Sequence, residues 1–169
     1  MLRRSRTGTA LGLLVLAIAA CDSSGPDASG ATSFPGDDAR AEVLAELEAY
    51  YADFSARDWE AFSDHFWPGA TITTVWRPPG EDADRVVVTS VPEFVERAPQ
   101  GPGSREIFEE RMTEAEVRVS GGLAQAWASY AARFGDPGEV TEWEGTDAFT
   151  LLEHDGRWRI VSLVFASDE

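Results

Sequence analysis

Between residues 43 and 54 the apolar positions recur at three- and four-residue intervals: Val43, Leu44, Leu47, Tyr50, Tyr51 and Phe54. That spacing puts them on one face of an α-helix. Asp37 or Asp38 is placed to cap its start, and Ser55-Ala56-Arg57 ends it. Asp58 is placed to cap a second, short helix with Trp59, Phe62 and Phe66 on one side, and Pro68-Gly69 stops it. The pattern then changes. Ala70 to Trp76 is rich in Thr, Ile and Val and reads as a strand. A loop from Arg77 to Asp84 leads to a short strand from Arg85 to Thr89. Ser90-Val91-Pro92-Glu93 has the form of a capping box with proline in the first turn. The short helix it opens carries Phe94 and Val95, and the run from Pro99 to Gly103 breaks it.

The last third reads as strands throughout. The first runs from Ile107 to Val119 with an interruption near Thr113, followed by Leu123 to Phe134, Val140 to Glu153 and Arg157 to Phe165. Their turns are Ser120-Gly121-Gly122, Asp136-Pro137-Gly138 and His154-Asp155-Gly156, and Asp-Gly is a strong hairpin signal. The strand from Leu123 has two distinct faces. Ala124, Ala126, Ala128, Tyr130, Ala132 and Phe134 form one; Leu123, Gln125, Trp127, Ser129, Ala131 and Arg133 form the other. The small-residue face makes room either for a cavity with Tyr130 at its wall or for a closely packed helix. There is no internal repeat.

The N-terminus follows a third pattern. Arg3, Arg4 and Arg6 precede an uninterrupted apolar run from Ala10 to Ala20, and the sole cysteine, Cys21, follows at once. The run has the length of a signal-peptide core and is short for a bilayer span. Ile18-Ala19-Ala20-Cys21 resembles the bacterial lipobox. That resemblance implies cleavage before Cys21, a diacylglycerol on its thiol and, in many bacteria, an N-linked acyl chain such as palmitate. Two or more chains hold a protein on a membrane where one does not. The expected organisation is a signal peptide over 1–20, a lipidated Cys21 with a flexible tether over 21–36, and a folded domain over 37–167. The expected location is the cell envelope, anchored to a membrane by lipid.

Composition narrows the function classes. The formal charge is −16, and every cationic residue is arginine. Loss of residues 1–20 leaves 11 arginines against 30 acids, a charge of −19. Such a surface repels phosphate backbones and anionic head groups, so no nucleic-acid partner is expected and membrane contact falls to the lipid alone. Acylation of Cys21 leaves no thiol for disulfides or cysteine catalysis. All 18 aromatic residues lie after residue 33, enough to fill a core, line a pocket or cover a dimer face.

Element order and two motifs carry a family resemblance. Ala56-Arg57-Asp58-Trp59-Glu60-Ala61-Phe62 leading into Pro68-Gly69-Ala70-Thr71-Ile72 resembles the start of NTF2-like domains. His154-Asp155-Gly156-Arg157-Trp158-Arg159-Ile160 resembles their final hairpin. The superfamily includes SnoaL-like cyclases and ketosteroid isomerases. The resemblance implies an α+β cone, with a strongly bent antiparallel sheet wrapped around N-terminal helices and a pocket at the open end. Isomerases of this kind use a helix tyrosine, a carboxylate base at the end of the first strand and a second acid on a later strand. Tyr50 matches the tyrosine. The base falls at about Thr74, which cannot serve, and the second acid falls near Ala148. Asp147, one residue away, is then expected on the opposite face. On that alignment the isomerase chemistry is rejected.

The pocket candidates are Tyr50, Tyr51, Phe54, His65, Trp76, Tyr130 and Asp147. Tyr50 and Tyr51 read as core, pocket wall or proton donor. His65 reads as a half-exposed capping residue or a pocket acid–base group. Trp76 is either a ligand-stacking ring or a lid over the core. Asp147 faces water or a pocket, where burial would make it a usable acid or base. Two histidines in separate contexts and a spent cysteine have no metal-ligand spacing, and no cofactor fingerprint occurs. The expected function is a non-catalytic module for a small apolar or aromatic molecule or an envelope protein. The alternative is a cyclase, isomerase or dehydratase using pocket acid–base residues. A homodimer through the sheet face is the third arrangement considered.

Overall fold

A computed structural model describes residues 35–76 and 82–167; the expected signal peptide, Cys21 and nearly all of the tether lie outside the described residues. Helix α1 spans Pro35–Ala56. It begins two residues before the expected cap, so Asp37 and Asp38 fall in its first turn, where carboxylates suit the positive end of the helix dipole. Its C-terminus closes through Arg57 at φ 58°, with the amide of Asp58 donating to Asp53 O at 3.0 Å. Helix α2, Trp59–Asp64, is capped by Asp58, which accepts from the Ala61 amide at 3.1 Å. It ends at His65 rather than at Pro68-Gly69. Strand β1, Phe66–Trp76, starts at once and absorbs both breakers. A register shift between Phe66 and Thr71 and a Gly69 at φ 87° accommodate them. Phe66, expected on the short helix, instead opens β1, and it is buried.

Strand β2 is Arg85–Ser90, and Ser90 then caps helix α3, Val91–Arg97. The capping box forms in both directions: Ser90 Oγ accepts from the Glu93 amide, and the Ser90 amide donates to Glu93 Oε2. A 3₁₀ turn over Ala98–Gln100 follows. The four C-terminal strands are β3 (Ile107–Ser120), β4 (Leu123–Asp136), β5 (Glu139–His154) and β6 (Arg157–Ser167). Asp155 and Gly156 both take positive φ, 53° and 74°, in the tight turn between β5 and β6.

The sheet order is β2-β1-β6-β5-β4-β3. All pairings are antiparallel except β1 with β6, which is parallel, so the sheet is mixed at this one seam. A bulge lies between Met112 and Glu114, at the expected interruption, and another register shift follows Thr150. Bulges bend strands and sharpen twist, which curls the sheet around α1. The bulge in β3 also switches the inward set from Phe108, Glu110 and Met112 to Ala115, Val117 and Val119.

The concave face carries the core. Val43, Leu47, Tyr50, Tyr51 and Phe54 of α1 are buried against it. Helix α1 lies chiefly over β3, where Ser55 Oγ donates to Glu110 O at 2.7 Å and accepts from its amide at 2.8 Å. Ala124, Ala126, Ala128, Tyr130 and Ala132 are all buried, so the small-residue face of β4 points inward. An aromatic chain through Tyr50, Phe54, Phe62, Phe66 and Phe149 links helices to sheet with ring centroids 5.2–6.0 Å apart. Each such side chain contributes about 1.5–3 kcal/mol through burial alone.

Candidate functional site

A cavity of about 420 Å³ opens on the concave face between α1, α3 and the sheet. Tyr50 and Phe54 reach it from α1, and Phe94 from α3. Strands β4 and β6 add Tyr130, Phe134, Leu163 and Phe165, and β5 adds Trp143. Two carboxyl groups, Glu110 of β3 and Asp147 of β5, interrupt this apolar wall. In the β4 register Glu110 sits beside Ala132 and Asp147 beside Ala128. Tyr130 lies between those alanines and opposite Gly145. A side chain at position 145 would strike Tyr130 Oη and the Ala166 carbonyl, so glycine there lets Tyr130 lie flat across β5.

Asp147 is 2% exposed and accepts a short hydrogen bond from the Tyr51 hydroxyl. Burial drives its pKa up to about 7, with the Tyr51 bond opposing part of the rise. Burial and the charge of Asp147 likewise push Glu110 well above the usual carboxylate range. Burial and the neighbouring Asp147 raise Tyr50 and Tyr51 far above an ordinary phenol, so both stay protonated. Tyr130 is raised by burial and meets Ser167 Oγ at 3.3 Å. The Tyr50 hydroxyl and the Glu110 carboxyl have no hydrogen-bond partner among the described residues. The site therefore offers titratable carboxyls and phenols inside a largely aromatic enclosure.

Asp147 corrects the expectation drawn from the isomerase alignment. It is the inward residue, aligned with buried Gly145, Phe149 and Leu151, and Ala148 takes the outer face. Thr74 stays without acid–base capacity, its hydroxyl donating to Phe165 O at 3.0 Å. Tyr50, Phe54, Tyr130 and Asp147 thus converge on one cavity. Tyr51 stands behind it, holding Asp147. The side chain of Trp76 lies outside the described residues.

His65 is placed elsewhere. Its Nδ1 lies 2.8 Å from Glu46 Oε1 and its Nε2 2.9 Å from Asp53 Oδ2, and it does not line the cavity. Burial alone would lower its pKa, but the two carboxylates outweigh this and raise it. Both bonds require both ring nitrogens to donate, which only the imidazolium does. His65 is a strut between α1 and the start of β1. Glu110 went unrecognised in the sequence because acids crowd around it at Glu106, Glu109, Glu114 and Glu116. Its parity with Phe108 and Met112 was the available signal. Among the described residues no three His, Cys, Asp or Glu side chains gather as a metal-binding group.

An open, mixed sheet curled around an N-terminal helix, with its cavity on the concave side, defines an NTF2-like fold. The family described as "Putative lumazine-binding" matches residues 38–166, and the chain belongs to it. Solved structures agree on the fold. A Mycobacterium tuberculosis protein of unknown function is similar over 78% of this chain and 73% of its own, at 16% identity and TM-score 0.64. A "putative dehydratase from the NTF2-like family" of Streptomyces avermitilis is similar over 79% of this chain and 98% of its own, at 15% identity and TM-score 0.63. A "putative scytalone dehydratase" of Novosphingobium aromaticivorans is similar over 78% and 85%, at 12% identity and TM-score 0.60. A comparison with curated proteins matches nothing.

Proposed function

We propose that this protein is a membrane-anchored binding module of the cell envelope, holding a small, largely apolar or aromatic molecule in the concave cavity without transforming it. The observation that carries this is the cavity: about 420 Å³, walled mainly by aromatic rings. That volume lies within the range of small-molecule sites. The family description supports a small ligand. The lipobox resemblance at Ile18-Ala19-Ala20-Cys21 supports the anchor. A calorimetric titration with a panel of aromatic fragments tests the binding. Saturable one-to-one binding that Ser167→Trp abolishes at the cavity mouth is expected. Absence of binding across the panel overturns the reading. Retention of Cys21→Ser in the membrane fraction would overturn the anchor.

A second reading, proton-transfer catalysis, is favoured by one observation: a buried carboxyl, Asp147, poised near neutrality beside phenols. It predicts turnover of a bound carbonyl or hydroxyl compound that Asp147→Asn abolishes while binding persists. The outer sheet face exposes Trp127 at 63% and Val164 at 49%, which supports docking of a second copy or an envelope protein. Sedimentation of the wild type against Trp127→Glu tests the dimer; a wild-type monomer at high concentration contradicts it.

A further inference from the structure

The cavity's charged groups are of one sign. Among the described residues its lining contains two carboxyls, two phenols, the Ser167 hydroxyl and the Trp143 indole, but no lysine, arginine or histidine. Glu110 and Asp147 stand on β3 and β5, one on each side of Tyr130 of β4, next to alanines, and both line the cavity. Asp147 is satisfied by Tyr51 alone, and Glu110 and the Tyr50 hydroxyl have no hydrogen-bond partner among the described residues. Tyr50 is nine-tenths buried and lines the same cavity. An occupant displaces solvent from these groups, so one that bonds them gains where one that leaves them unpaired loses.

We propose that the cavity takes an organic cation, a protonated amine on an aromatic or aliphatic body, with its nitrogen between Glu110 and Asp147 and its body against the aromatic walls. The inference rests on the small-ligand reading and names the ligand class for that site. An ammonium group supplies only donors, which suits two carboxylates and a phenol oxygen. The rings of Tyr50, Tyr130 and Trp143 line the same cavity and offer a cation π-attraction. An anion would meet two acids with no cationic counterpart among the described lining residues. Burial raises both carboxyls, and the charge of Asp147 raises Glu110 further. A bound cation favours their ionised forms, so binding near neutral pH releases protons.

The test is calorimetric titration of the full chain carrying Cys21→Ser. The probes are arylalkylamines of three chain lengths, the matching neutral alcohols and the matching carboxylates, in two buffers of different ionisation heat. The expected result is an amine bound about tenfold or more tightly than its alcohol, proton release on binding, and no carboxylate binding. Glu110→Gln and Asp147→Asn should each remove most of the amine's advantage and leave alcohol binding within about twofold. Thermal melts confirm that both variants are folded. Alcohols bound as well as amines would overturn the cation assignment and leave the small-ligand reading standing. An amine advantage that survives the double variant would place the charge recognition on the acidic exterior and also overturn it. Binding by none of the probes would overturn both.

Discussion

Replacing His65 by alanine separates two helix carboxylates from the ring that ties them to the sheet. His65 makes two charge-assisted hydrogen bonds, at 2.8 Å to Glu46 and 2.9 Å to Asp53. Bonds of this type contribute about 1.5–3 kcal/mol each. The side chains of Glu46 and Asp53 are 20% and 35% exposed, so both recover water when the ring is removed and the lower end applies. The expected loss is about 2–3 kcal/mol, or roughly 6–12 °C in Tm for a domain of this size. The loss depends on pH. A ring whose folded pKa is raised stabilises fully below the unfolded value near ~6.5, and this stabilisation disappears as pH rises through the folded value. Denaturant titrations of wild type and His65→Ala at acidic, neutral and alkaline pH should therefore show the gap largest near pH ~6 and shrinking on the alkaline side. A gap that is constant, or that widens with pH, would refute the imidazolium bridge.

Asp147→Asn removes a buried acid whose pKa is lifted by burial to about 7. The wild type should lose stability as pH rises from ~4 to ~7, and the variant should lack about 2–4 kcal/mol of that decline. Urea titrations across the window check it, and parallel pH profiles would contradict it. Gly145→Ala drives a methyl group into Tyr130 and the Ala166 carbonyl. It should cost about 1–3 kcal/mol and displace Tyr130 into the cavity, lowering ligand affinity along with Tm. An unchanged Tm and affinity would show that Tyr130 does not lie against this backbone.

The local chemistry of the chain was legible because it is written in short-range signals. The apolar spacing of α1, the Asp58 cap, the Ser90–Glu93 capping box and the Asp155-Gly156 turn each report a local hydrogen-bonding or steric demand. The β4 alternation likewise marked the inward face, which carries Tyr130 and Phe134 to the cavity wall. What escaped depends on distant pairing. Pro68-Gly69 read as breakers, yet a register shift against β6 lets them sit inside β1. The parallel β1–β6 seam joins segments about ninety residues apart, and nothing local specifies it. The face of Asp147 stays open between water and a pocket in the sequence, because the isomerase resemblance places the acid at Ala148 and in a strand one residue inverts every side chain. Its inward neighbours, Gly145 and Phe149, carry the correct phase. His65 looked like a free acid–base group because its partners, Glu46 and Asp53, are seven residues apart on α1 and belong to its polar flank.

A ligand seated in the concave cavity would perturb the residues that line it. Amide NMR of the full chain carrying Cys21→Ser, titrated with an arylalkylamine, reads this residue by residue. The predicted result is saturable shifts at Phe94, Glu110, Tyr130, Trp143 and Asp147, lost in Ser167→Trp. Shifts centred instead on Trp127 and Val164 of the outer face, or unchanged in Ser167→Trp, would contradict it.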